Sequence, residues 1–284
     1  MKLKNSIIYS LNLKFQVIFC SLPLIIQELN SLTRNNIPKD HPRVHSLKIR
    51  SKMSDSFHSG ILSQNGLIAH GRGEAFDYIL GENTPKISLD TIRVATAQLL
   101  LSDSVISVNG NSAALCSNEI VKLAKLTNSK IEINLFHKSP TRVKKISQLL
   151  KKHGAIDIYG ENKKYLTRVP GLKSNRKFID KRGIFSSDVI FVPLEDGDRT
   201  EFLKKMNKTV ITVDLNPLSR TSIMSDISII DNLIRVLPEM IKQSKNMSNF
   251  SSTDLHNIVT KFNNQNQLQS ILKFMSKRLI DLST

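Results

Sequence analysis

The chain has 284 residues, 40% of them hydrophobic, and a formal net charge of +17 from 41 Lys and Arg against 24 Asp and Glu. That apolar content can fill a core, which excludes a disordered chain, and two cysteines, Cys20 and Cys116, with no Cys or His at ligand spacing, exclude a disulfide framework and a structural zinc. The lack of Trp and the 6% aromatic content argue against a base-stacking nucleic-acid binder, while the charge leaves open a polyanion partner, a phosphorylated substrate or a merely solvated basic surface.

Residues 1–35 differ in kind from the rest of the chain. Lys2 and Lys4 precede an apolar stretch, residues 15–26 (FQVIFCSLPLII), too short and too interrupted by Ser21 and Pro23 for a spanning helix, and no small-residue cleavage site comes after it. This segment is expected to be an extension outside the fold, with a membrane anchor as the alternative. From Asp40 the pattern turns regular: Asp40 can cap a helix that accepts Pro42 in its first turn, and Leu47, Ile49 and Met53 carry it toward Leu62. Residues 66–78 (GLIAHGRGEAFDY) read as a glycine loop that opens into a short helix at 74–80. Ser88 then caps a longer helix, in which Leu89, Ile92, Thr96, Leu99 and Leu100 recur at helical spacing.

Strand-like runs alternate with helices through the middle of the chain. Residues 104–108 (SVISV), 130–135 (KIEINL), 155–159, 188–194 (DVIFVPL) and 209–213 (TVITV) are short and rich in β-branched residues; helices are expected at 120–126 and 141–152, and later at 232–245 and 253–282. Such alternation predicts a single α/β domain over residues 36–284, with a mainly parallel sheet flanked by helices and helical additions at both ends. Residues 160–183, basic and weakly patterned, are expected to form an excursion or mobile loop.

In open parallel sheets ligands gather at the carboxyl ends of the strands, and here those ends are polar. SVISV leads into Asn109, Gly110 and Asn111; KIEINL carries Asn134; DVIFVPL runs into Glu195, Asp196, Asp198 and Arg199; TVITV runs into Asp214, Leu215, Asn216, Arg220 and Thr221. Each has a plainer reading, since Asn and Gly suit turns and caps and acidic residues favour a helix N-terminus. Read functionally, Asp196 and Asp198 could hold magnesium or position an amine, Arg199 could neutralise a phosphate, Asp214 or Asn216 could recognise ribose or base, and Arg220 a phosphate. His70 has no Ser or Cys partner at motif spacing and reads as a loop residue held for shape. Gly71 and Gly73 around Arg72 fit neither a dinucleotide fingerprint nor a P-loop, yet an arginine between glycines could present a fixed fork to a phosphate.

Taken together, IPKDHPR (37–43), GLIAHGRGEAFDY (66–78), VISVNGN (105–111), EINLF (132–136), VPLEDGDRTE (192–201) and DLNPLSRT (214–221) resemble archaeal-type phosphopantothenate synthetase, the phosphopantoate–β-alanine ligase family, in order over about residues 36–245. Asp40 stands where that family usually has serine, Val44 where an aromatic is common, and Thr221 where serine often stands. The resemblance implies a Rossmann-like core, a homodimer and a cytoplasmic enzyme of coenzyme A biosynthesis that joins phosphopantoate to β-alanine. ATP would go to AMP and diphosphate through an acyl-adenylate, with Mg2+ accompanying the nucleotide and neither nucleic acid nor membrane as a partner. It implies ATP contacts at Arg50, Arg72, Asp214, Leu215, Asn216, Arg220, Thr221, Asn232 and Leu233. Arg72 and Arg220 are expected to clamp phosphate, with His70 orienting the loop or the substrate. Asn109, Asn111, Asp196, Asp198 and Arg199 are expected to serve phosphopantoate, magnesium or the amine. The alternatives are another nucleotide-dependent enzyme on such a sheet, of kinase type, or a basic nucleic-acid-binding protein.

Overall fold

The computed structural model describes residues 38, 40, 41, 43–169, 171, 174–194 and 197–284. The expected N-terminal extension, Cys20, the helix-opening Pro42 and the strand-end Glu195 and Asp196 lie outside the described residues. Contacts divide the chain into residues 1–52 and 53–284. Described in the first unit are the turn at Asp40 and the opening of helix α1 (Val44–His58). The Val44 N–H bonds to the His41 carbonyl at 2.9 Å, so Asp40 sits in the turn ahead of the helix and does not cap it, and α1 stops at His58, short of Leu62.

The second unit begins within α1 at Met53 and continues with α2 (Gln64–Leu80) and α3 (Lys86–Leu101). Helix α2 takes in the whole of GLIAHGRGEAFDY, so the expected glycine loop is helical. Ser63 caps it, accepting from the Gly66 N–H at 3.3 Å, and Gly81, at φ 86°, ends it in the left-handed conformation that glycine tolerates best. Its glycines cost helix propensity, about 1 kcal/mol each relative to alanine. Tertiary packing decides the outcome: a Cβ on Gly66 would lie 2.5 Å from Asn111 Oδ1 and 2.7 Å from Leu62 Cδ1. Ser88, expected to cap α3, lies inside it, with its hydroxyl donating to the Ile230 carbonyl at 2.7 Å.

The next elements are β1 (Ser104–Val108), α4 (Gly110–Thr127), β2 (Lys130–Ile133) and α5 (Pro140–Lys152), and then, within the excursion, β3 (Leu166–Arg168) and β4 (Phe178–Asp180). The chain continues through β5 (Val189–Pro193), α6 (Gly197–Lys205), β6 (Thr209–Asp214), α7 (Arg220–Met224), β7 (Ile227–Ile230) and α8 (Leu233–Asn246). The main sheet has the order β2-β1-β5-β6-β7, every neighbouring pair parallel. The strand expected at 155–159 is instead one bridge between Tyr159 and Glu132, and β7, only four residues long, was not anticipated. The expected C-terminal helix is two, α9 (Ser252–Val259) and α10 (Asn264–Asp281), the second capped by Asn263. Helices α3, α4 and α8 pack on one another, and α9 packs on α3. Cys116 is buried in α4, as expected of a small hydrophobe.

The excursion is built, not loose. Strands β3 and β4 form an antiparallel ribbon, and its Val169 and Ile179, with Ile184, join Val105, Ile190, Val192 and Val210 in one buried apolar cluster. Glu132 on β2 supplies the polar anchor. Its fully buried carboxylate accepts from the Asp180 N–H at 3.1 Å and the Ile184 N–H at 2.7 Å.

Strand order reverses between β1 and β5, because the chain steps from β1 outward to β2 and then returns to the far side of β1. The β1–β5 ladder runs only to the pair Ile106–Phe191, whereas β1–β2 pairing continues to Val108 and β5–β6 pairing to Pro193. The two central strands therefore part at their carboxyl ends, which opens a crevice where such sheets take ligands.

Candidate functional site

A cleft of about 600 Å³ occupies that crevice. Its floor comes from four strand ends: Asn109 to Asn111 after β1, Leu135 to His137 after β2, Leu194 and Gly197 after β5, and the Asp214 turn after β6. Its wall is one face of α2, on which Gly66, Ala69, Gly73 and Phe76 recur at helical spacing. Small residues there keep the helix close to the rim while leaving space above it. Helices α4, α6 and α7 all start at the rim, so backbone N–H groups and positive dipole ends converge on the cleft.

Asn109 is the N-cap of α4. Its Oδ1 accepts from the Ser112 N–H at 2.9 Å, and its Nδ2 donates to the Leu194 carbonyl at 2.6 Å and the Pro193 carbonyl at 3.3 Å. Leu194 sits at φ 61°, a left-handed conformation that costs a non-glycine residue about 1–2 kcal/mol, and it lines the cleft. Asn111 donates to the Gly66 carbonyl at 2.8 Å, tying α4 to α2.

The Asp214 turn is self-braced. The carboxylate accepts from the Asn216 N–H at 2.9 Å and the Ser219 hydroxyl at 2.5 Å, and Asn216 Oδ1 accepts from the Leu218 N–H at 2.9 Å. Burial pushes the Asp214 carboxyl above its usual range, opposed by those hydrogen bonds and by the charge of Arg72. Arg72 itself lines the cleft from α2 and, among the described residues, makes no hydrogen bond or ion pair. Arg220 is engaged from the other side, paired with Asp198 at 2.5 Å and Glu201 at 2.8 Å on α6. Gly197 must be glycine here, because a Cβ would collide with the Arg220 side chain. His70, on α2 and not in a loop, lines the cleft with Nε2 3.1 Å from the Glu74 carboxylate one turn on.

The structure brings His70, Arg72, Asn109, Asn111, Asp214, Leu215, Asn216, Arg220 and Thr221 to one cleft, and it puts other expected residues elsewhere. Arg199 is 2% exposed and donates to Ser107 Oγ at 2.8 Å on β1, beside Glu132, whose charge it partly balances. It belongs to a buried polar row beneath the cleft, because Ser107 and Glu132 are register partners on one face of the sheet. Asn232 caps α8, accepting from the Ile234 N–H, and its Nδ2 is committed to Asp77 on α2 at 2.8 Å; Leu233 is buried. Neither Arg50, on α1 in the first unit, nor Asp196, outside the described residues, is placed relative to the cleft.

Sequence reasoning missed two kinds of residue. The first is the Asp77–Arg235–Asp231 network that fastens α2 to the β7–α8 turn. Arg235 bonds Asp77 at 2.5 and 3.1 Å and also bonds Asp231, which in turn accepts from Thr84 at 2.6 Å. The second is Arg142 and Arg176, which line the cleft near the β2 end. They come from α5 and from the excursion, whose basic residues the sequence leaves open between a functional field and a solvated surface. Among the described residues no group of three His, Cys, Asp or Glu could hold a metal.

An open parallel sheet whose switch-point cleft holds four arginines, three helix starts and a single described carboxylate defines an α/β enzyme site for phosphate-bearing small molecules. The family model for phosphopantothenate/pantothenate synthetase matches residues 87–278. The 4-phosphopantoate–β-alanine ligase of Thermococcus kodakarensis is 46% identical over 250 residues, covering 87% of this chain and 95% of that one. Its namesakes from Methanosarcina mazei and Methanospirillum hungatei are 45% identical over 245 residues and 39% over 247, covering 86% and 87% of this chain and 96% and 99% of theirs. The chain belongs to the phosphopantothenate/pantothenate synthetase family.

Proposed function

We propose that the chain ligates 4-phosphopantoate and β-alanine to 4′-phosphopantothenate in coenzyme A biosynthesis, converting ATP to AMP and diphosphate. The observation that carries this reading is the gathering of Arg72, Arg220 and the Asp214 turn in one cleft, in a chain whose relatives bear that ligase's name. A carboxylate is a poor acyl donor, so the acid first attacks the α-phosphate of ATP, expelling diphosphate and giving an acyl-adenylate. The β-alanine amine then attacks the acyl carbon, and AMP leaves. No protein nucleophile takes part.

Both steps build negative charge on oxygens, which fixed donors stabilise. Arg72 is poised for this, making no hydrogen bond or ion pair among the described residues. Arg220 reaches phosphate by exchanging exposed carboxylates for it, a cheap exchange because surface ion pairs contribute little. Asp214 works chiefly by shaping the turn from which Leu215, Asn216 and Thr221 meet the nucleoside. Arg50 is assigned as a further phosphate clamp. Asn232 and Leu233 serve through the backbone start of α8, since their side chains are committed elsewhere. His70 orients substrate from α2, and Asn109 and Asn111 shape the acid's end of the cleft. Mg2+ would supply charge neutralisation on the phosphates. The family resemblance further favours a homodimer in the cytoplasm, with residues 1–35 as an appended segment and no nucleic-acid partner. No helix among the described residues is long and apolar enough to cross a membrane.

The test is product stoichiometry. With 4-phosphopantoate, β-alanine and ATP, AMP must appear in step with ligated product; ADP in its place ends the adenylation reading. Arg72→Ala should retain the fold and lose roughly a hundredfold or more in turnover.

A further inference from the structure

We propose that Arg176, delivered to the cleft by the excursion and assisted by Arg142, holds the phosphate of the acid substrate and so decides between the phosphorylated acid and the same acid without its phosphate. The inference rests on the ligase reading above and adds charged groups at the acid's end of the cleft, where that reading names only Asn109 and Asn111.

Charge makes the first argument. Four arginines line the cleft, Arg72, Arg142, Arg176 and Arg220, against one described carboxylate, Asp214. Two of the four stand at the β6 side, where Arg72 acts on Asp214 and Arg220 comes just after its turn. The other two stand by the β2 end. In the order β2-β1-β5-β6 these ends are three strand spacings apart, roughly 14 Å. Two separated cationic centres suit two anionic groups, and the reaction brings together a nucleoside triphosphate and an acid whose far end carries a phosphate.

The β2-end centre is also a built one. Arg176 is 7% exposed and lies over the Phe136 ring at 5.8 Å. Its backbone is pinned from β2 outward: Asn134 Nδ2 reaches the Arg176 carbonyl at 3.4 Å and the Phe178 carbonyl at 3.1 Å, and Asn175 donates to the Phe136 carbonyl at 3.3 Å. Arg142 spends its hydrogen bonds on carbonyls, those of Ile61 at 3.1 Å and of His137, so no described carboxylate neutralises its charge. Gly110 lets it lie there, since a Cβ would come within 2.7 Å of Nη2. Next to it, Asn65 Nδ2 is 3.0 Å from His137 Nε2. Planar guanidinium forks held in this way match a phosphate better than the point charge of lysine.

The experiment measures AMP release by the full chain at saturating β-alanine, for wild type, R176Q and R176K. R176Q should raise KM for 4-phosphopantoate about tenfold to a hundredfold, the scale of lost hydrogen bonds to a charged group. KM for ATP should hold steady. So should affinity for the unphosphorylated acid, read as its KM or as its inhibition constant against 4-phosphopantoate. R176K should fall between, keeping the charge and losing the fork, and it carries the test alone should glutamine not be accommodated. A rise in KM for ATP would assign this centre to the triphosphate and overturn the proposal, as would equal losses for both acids or no change at all. Wild-type protein that makes no AMP from these substrates would sink the parent reading instead, before any variant is compared.

Discussion

Removing the Asp77 carboxylate tests how α2, and with it Arg72, is held over the rim. Asp77 is 8% exposed and accepts from Asn232 Nδ2 at 2.8 Å and from Arg235 at 2.5 and 3.1 Å. A hydrogen bond to a charged group contributes about 1.5–3 kcal/mol, but Arg235 keeps Asp231, and its side chain is 22% exposed, so water replaces part of the loss. Asp77→Ala should therefore cost about 2–4 kcal/mol, most of it from stranding the buried Asn232 amide. For a chain of this size that lowers Tm by roughly 3–7 °C. Arg235→Ala should cost more, because it strands both Asp77 and the fully buried Asp231. Urea unfolding and scanning calorimetry read both. An Asp77→Ala loss below about 0.5 kcal/mol, the level of an ordinary surface change, would refute the reasoning. So would Arg235→Ala proving the milder of the two.

Three more outcomes are expected from the geometry. Burial raises the Glu132 carboxyl from 4.5 to about 7, against the pull of the Ile184 and Asp180 N–H groups and of Arg199, with Asp180 raising it further. Between those values the native state keeps a proton that the unfolded chain has lost, so this group's contribution to stability falls as pH rises through that window, by at most roughly 3 kcal/mol. Asp214 and Asp231, also raised by burial, act in the same direction. At Asp180 burial is outweighed by the hydrogen bonds of Arg182 and Gly160, which lower the carboxyl, so this group matters only in acid. Glu132→Gln should flatten Tm against pH from 4.5 to about 7, and an unchanged slope would count against the assignment. Gly110→Ala places a Cβ 2.7 Å from Arg142 Nη2 and 3.0 Å from the Ile61 carbonyl, and should cost about 1–3 kcal/mol in unfolding free energy while raising KM for the acid. Asp198→Ala should leave thermal stability unchanged and lower KM for ATP, because Arg220 no longer has that carboxylate to leave; a higher KM would place Asp198 on the nucleotide's side.

The sheet was largely legible because its strands are buried on both faces and so read as unbroken β-branched runs. The carboxyl-end rule then pointed to the cleft from sequence alone. What stayed hidden depended on tertiary contact. Three glycines in α2 look like a loop until Asn111 and Leu62 are seen to occupy the space a side chain on Gly66 would need. Residues 160–183 look structureless because a charge in the neighbouring strand, Glu132, organises them through backbone N–H groups that carry no sequence signature. Arg199 reads as a rim residue by position, yet the first turn of α6 points it down to Ser107. Arg142 and Arg176 were two basic residues among many until the fold set them apart.

At Asn109 the two halves of one side-chain amide do opposite jobs: the oxygen caps α4, and the nitrogen ties together the parting ends of β1 and β5. Aspartate would serve equally well as the cap and has the same shape, but it would set a carboxylate oxygen against the Pro193 and Leu194 carbonyls. Serine would cap and reach neither. The position is thus closed to every other residue favoured at a helix start, although nothing in the reaction need touch it, and a single-atom exchange there would wedge the sheet apart where its substrates meet.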